Sequence, residues 1–126
     1  ACYGKSPYYD YYIHHFRSFF EEGYDRLFEL NKAIIDTCMK VLGIEKELIL
    51  STEFTSKSNE YIDLKRDLIS PKKKEWSRLE PHFCFPSYDQ VFSDEVPFAP
   101  NLSILDLIFC YGPEARRYLA STIKRR

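Results

Sequence analysis

Pro100-Asn-Leu-Ser-Ile-Leu-Asp-Leu-Ile-Phe-Cys-Tyr-Gly-Pro113 holds a helix start, an apolar body and a stop signal in one short run. Asn101 or Ser103 can cap the start, and Ser103 with Asp106 has the S-x-x-D spacing of a capping box. Gly112 is placed to end the helix in the left-handed region, and Pro113 to open the next one. Leu102, Ile104, Leu105, Leu107, Ile108 and Phe109 cover nearly the whole circumference, so this helix should be buried on most sides. It is the expected centre of the fold.

Working outward, the chain before this run predicts two longer helices. Ser6 and Pro7 read as N-cap and first helical position. Tyr8, Tyr12, His15 and Phe19 then follow one line, and Tyr9, Ile13, Phe16 and Phe20 another, with Asp10, Arg17 and Glu21 on the remaining face. Gly23 ends that helix. Asp25 is the expected cap of a second helix, whose inner stripe is Leu27, Leu30, Ile34, Cys38 and Val41. Gly43 closes it, and Ile44 is placed for the apolar contact that accompanies a glycine terminus. Helices joined by so short a turn should form an antiparallel pair.

The middle of the chain is less regular. Glu47 to Thr52 reads as a short strand, and Ile62 to Ile69 as a short helix stopping before Pro71. Five prolines between Pro71 and Pro100 argue against helix there. Tyr88 to Phe92 alternates enough for a short strand inside a long loop rich in proline and aromatics, the kind of loop that carries function. Glu114 to Thr122 is the last expected helix. The expected fold is therefore α+β and mainly helical: a helix pair on a short buried central helix, with a small β element and a long loop.

Composition bounds the possibilities. A chain of 126 residues makes one domain, residues 1–126, and can bury a core without disulfides or metal. Aromatic residues reach 17%, so the core is built of large rings. A net charge of −1 argues against an unspecific nucleic-acid or membrane binder, and Lys72-Lys73-Lys74 and Lys124-Arg125-Arg126 read as solvated. No apolar run is long enough for a membrane helix. The four cysteines, Cys2, Cys38, Cys84 and Cys110, form no C-x-x-C pair, which suits a reducing, cytoplasmic setting. The chain opens on Ala1 and its only methionine is Met39, so it is expected to be part of a longer protein.

Asp106 has two readings. It is a capping-box acid bonding back to the Ser103 amide, or a buried carboxylate that binds a cation, a sugar hydroxyl or a substrate amine. Tyr88, Gln90 and Phe92 share one face of the expected strand, where Tyr and Gln would hydrogen-bond a hydroxyl-rich ligand above Phe92; the plain alternative is a hairpin edge. His82 and Cys84 lie two apart and could serve as nucleophile and base or as zinc ligands, but no third partner has a recognisable spacing. His14 and His15 are adjacent on a helix and should point about 100° apart, which does not chelate one ion. Arg66, with Lys65 and Lys72, could hold a phosphate or carboxylate, although such charges are usually solvated. No glycine-rich phosphate loop and no G-x-S-x-G is present. No cofactor and no metal is expected.

Tyr3-Gly-Lys-Ser-Pro-Tyr-Tyr9, Leu30-Asn31, Leu42-Gly-Ile44, Tyr88-Asp-Gln-Val-Phe92 and Pro100 to Phe109 with Gly112-Pro113-Glu114 resemble the C-terminal half of the WbqC-like family. The resemblance implies that the family's N-terminal half is the missing partner. It also implies a cytoplasmic role in bacterial O-antigen or other surface-polysaccharide synthesis. One chemistry that it suggests is transfer of a small acyl or aminoacyl group to an amino-sugar nucleotide. On that reading Asp106 is the catalytic group, and Tyr88, Gln90, Asn31, Tyr3 and Lys5 bind substrate. The competing expectation is a non-catalytic docking or homodimerisation module.

Overall fold

The computed structural model describes residues 2–21, 23–53 and 82–124. The expected helix Ile62 to Ile69, and Lys65, Arg66 and Lys72 with it, lie outside the described residues. Five α-helical segments are described: α1 (Tyr9–Phe16), α2 (Ser18–Glu21), α3 (Leu27–Val41), α4 (Ile104–Tyr111) and α5 (Ala115–Thr122). Short 3-10 turns at Cys2–Lys5 and Gly112–Glu114 precede α1 and α5. The fold is mainly helical. Among the described residues the β component shrinks to one antiparallel bridge, Phe83 with Ile123.

α4 is the packing centre, as its all-round apolar pattern requires. Its Leu107, Ile108 and Phe109 are buried together with Phe16, Cys38, Leu42 and Ala115. The rings of Tyr3, Tyr9 and Phe16 surround Phe109 at centroid distances of 5.4, 5.2 and 5.9 Å. α1 and α5 pack on α4, and α3 packs on α1, so the helix pair meets the central helix mainly through its first member.

The start and end of α4 follow their local chemistry. Ser103 caps it, its Oγ accepting from the Leu105 amide at 3.3 Å. Gly112 ends it at φ 54 and ψ −125, a positive-φ region outside the left-handed helical basin and open in practice only to glycine. The stop at α3 is a Schellman motif: Ile44 N–H donates to Met39 O at 2.8 Å and Gly43 N–H to Lys40 O at 3.1 Å. Gly43 takes φ 64, and Ile44 packs against the core.

Several sequence expectations are corrected. Ser6 is not an N-cap; it is buried in a turn, and the helix opens at Tyr9 after an uncapped Tyr8. The first long helix is interrupted at Arg17, where the Phe20 amide bonds three residues back and the ladder tightens. Arg26, not Asp25, holds the N-cap position of α3, and Leu27 points outward at 71% exposure. Neither expected strand forms. Glu47 to Thr52 has no neighbouring strand among the described residues, and Ile49 is 90% exposed. After Gln90 the backbone closes into successive turns, with Ser93 N–H on Gln90 O and Val96 N–H on Phe92 O, so Tyr88 to Phe92 cannot extend.

Candidate functional site

Asp106 stands in the first turn of α4 and is 3% exposed. Its position is that of a capping-box acid, yet its carboxylate meets Tyr88, Gln90 and Cys110, and its described partners do not include the Ser103 amide. The Tyr88 hydroxyl donates to Asp106 Oδ2 at 2.6 Å, and Gln90 Nε2 donates to the same oxygen at 3.2 Å. Cys110 Sγ lies 3.9 Å from Oδ1 and 4.0 Å from the hydroxyl of buried Ser6. A buried carboxylate needs such donors, because leaving its oxygens unpaired costs several kcal/mol by order of magnitude, about 1–3 for each lost partner.

Gln90 explains how an irregular loop holds this geometry. Its Nε2 donates to Ala99 O at 2.9 Å, and its Oε1 accepts from Ala99 N–H at 2.9 Å. The side-chain amide thus supplies both bonds that a neighbouring strand's backbone would have made. Tyr88 is fixed by rings: Phe98, Tyr118 and Tyr111 surround it at 5.3, 5.1 and 5.8 Å, and Tyr118 Oη donates to Pro86 O at 2.7 Å.

The electrostatics follow from burial beside Asp106. The Tyr3 hydroxyl is pushed up to about 12, first by burial and then by the charge of Asp106 and a hydrogen bond to it. Tyr88 is also raised, by burial and by its bond to Asp106. Burial raises the Cys110 thiol as well, and Asp106 adds to the effect. All three groups are held in their neutral, hydrogen-bond-donating forms.

A cavity of about 250 Å³ opens beside this cluster. Tyr3, Gln90 and Asp106 supply its polar lining, and Val91, Phe92, Val96, Ala99 and Leu102 its apolar walls. Cys2 also lines it, and Cys2, Val91 and Phe92 are shared with a neighbouring cavity of about 330 Å³ that holds Lys5, Asp94 and Glu95.

The structure therefore brings Asp106, Tyr88, Gln90 and Tyr3 together and sets Lys5 in the adjoining compartment. Tyr88 lines a separate cavity with Phe85, Leu102, Ile104, Leu107 and Leu119. Phe92 is a half-exposed wall of the first cavity and not a floor beneath Tyr88. Asn31 is exposed on α3 and lines neither compartment. Cys110 and Ser6 escaped the sequence reading, although the four-residue spacing from Asp106 to Cys110 places both on one helix face. Nothing in the sequence marks Cys2, Val96 or Ala99 as lining residues.

The other sequence candidates go elsewhere. Cys84 Sγ is 3.5 Å from Ser121 O, and the His82 carbonyl accepts from Lys124 N–H, so this pair belongs to the bridge beside α5. The His14 and His15 rings converge to 4.0 Å instead of diverging. Burial, helped by His14 and Lys40, lowers the His15 pKa. No group of three metal-binding side chains lies together among the described residues. No helix among them is long and apolar enough to cross a membrane.

Comparison with known proteins gives no match among curated proteins or solved structures. A family model does match, over residues 1–75. It covers the N-terminal part of this chain, with Tyr3 to Tyr9, Leu30-Asn31 and Leu42 to Ile44, while the Tyr88 and Pro100 motifs fall beyond it. The match thus rests on the N-terminal part and not on the run of landmarks to Glu114 that suggested a C-terminal half. Because it spans more than half of the residues, the chain belongs to the WbqC-like protein family.

Proposed function

We propose that this chain is part of a bacterial enzyme of surface-polysaccharide (O-antigen) synthesis, acting in the cytoplasm. The reaction is transfer of a small acyl or aminoacyl group to an amino-sugar nucleotide, with Asp106 receiving the substrate amine. The observation that carries this reading is a buried carboxylate held by the neutral donors Tyr88 and Gln90 beside an open cavity. Such a carboxylate can orient an amine and accept its proton as the nitrogen attacks the acyl carbonyl; the adduct then collapses, breaking the bond from the acyl carbon to its carrier, which leaves with that proton. Tyr3 and Gln90 line the same cavity and fix the substrate, and Lys5 lines the next compartment.

The test is turnover of Asp106→Asn in the full-length protein. Loss of a general base lowers the rate by roughly 10²–10⁴-fold. Wild-type turnover in a folded variant would sink the catalytic role.

A second reading, a docking or homodimerisation module, is favoured by Tyr11, Phe20, Leu27 and Phe28, which stand exposed on α1 to α3. Sedimentation velocity separates the two. A dimer dissolved by Phe20→Lys, with turnover untouched by Asp106→Asn, would favour the module.

A further inference from the structure

We infer that the cavity beside Asp106 is a recognition site for a small primary amine with a compact apolar body, either free or as the amine-bearing end of a larger substrate. This deepens the reading of Asp106 given above and rests on it. Three features carry the inference.

The first is charge. The described partners of the Asp106 carboxylate are neutral, and the described ion pairs, Arg17–Glu21, Lys32–Asp36 and Arg117–Glu114, do not include it. A buried carboxylate is best compensated by a cation that also donates hydrogen bonds, as a primary ammonium does. The adjoining compartment carries Asp94 and Glu95 against Lys5, a balance that also favours a cation over an anion.

The second is the rim. Phe92, Val96 and Leu102 are 47%, 54% and 48% exposed, and all three line this one cavity. Large apolar side chains left half-open around a polar floor are what an apolar ligand body would cover. A bare ammonium ion would leave that rim wet.

The third is size. About 250 Å³ is below the ordinary range for drug-sized ligands. The occupant is therefore compact, on the scale of a single ring or a short branched chain.

The experiment is an NMR titration of the ¹⁵N-labelled full chain with benzylamine, benzyl alcohol and benzoate, followed at the Gln90, Val91, Ala99 and Leu102 amides. Benzylamine is expected to shift these amides and to bind at least tenfold tighter than the alcohol, with benzoate giving no shift. Asp106→Asn should erase the preference for amine over alcohol. Val96→Trp, which enlarges a wall residue of the cavity, should abolish binding of both. An amine that binds no tighter than the alcohol, shifts confined to other residues, or unchanged binding in Val96→Trp would each overturn the inference. Should Asp106→Asn fail to fold, the wild-type comparison and Val96→Trp still decide. The titration reads binding alone. Its failure would leave an effect of Asp106→Asn on turnover standing, and amine binding without such an effect would leave a non-catalytic amine site.

Discussion

The Tyr88 hydroxyl and the Asp106 carboxylate meet at 2.6 Å across a separation of 18 residues, and this bond fastens the long loop to the central helix. Tyr88→Phe keeps the ring among Phe98, Tyr111 and Tyr118 but removes one donor from a buried carboxylate. The expected cost is about 1–3 kcal/mol in urea unfolding, with no change in helix content by circular dichroism. A loss below the error of the measurement would mean that water or Gln90 takes over the vacated lone pair.

Gly112 and Tyr8 form a second tight relationship. A Cβ on Gly112 would stand 2.5 Å from Cγ of the Tyr8 ring, and the residue already holds φ 54. Gly112→Ala therefore combines backbone strain with a clash and should lose at least about 2 kcal/mol. Tyr8→Ala alone empties part of the space. The double variant should be more stable than the sum of the two losses predicts, because the clash is gone while the strain remains. Strict additivity would show that the ring swings clear without cost.

These relationships show what was legible in the sequence. Gly43 and Gly112 announced the ends of α3 and α4 because glycine is needed at positive φ, and the all-round apolar pattern of α4 announced its burial. Tyr88 and Gln90 share an expected strand face, and only the family resemblance joins Asp106 to them; the three do meet, but through a turned loop in which side-chain bonds from Gln90 to Ala99 replace the expected strand pairing. Such bonds have no periodicity, so neither they nor the walls at Val96 and Ala99 could be read from spacing. Asn31 illustrates the opposite failure, since its place in a motif carried no information about which face of α3 it occupies.

Arg116 donates from Nη1 to the Gly43 carbonyl at 2.7 Å, joining α5 to the end of α3. The carbonyl follows the last turn of a helix, where a cation is favoured by the macrodipole. Arg116→Met keeps most of the aliphatic stem and removes the bond. Because the contact is exposed, the expected loss is only about 0.5–1 kcal/mol, and raising the salt concentration should shrink the difference between the two proteins.

Alkaline stability should depend on Tyr3. The folded chain holds the Tyr3 proton up to about 12, against an ordinary tyrosine value of 10.0. Between these values the folded state binds more protons than the unfolded state, so stability falls as pH rises. The contribution is complete below pH 10 and is lost as the pH climbs towards 12. Tyr88 and Tyr118 are moved in the same direction, so the slope has more than one source. Urea unfolding between pH 9 and pH 12 should therefore show a declining wild-type stability and a shallower, not flat, decline in Tyr3→Phe. An identical slope in the two proteins would mean that Tyr3 is not held beside Asp106 in solution, and would remove it from the lining of the site.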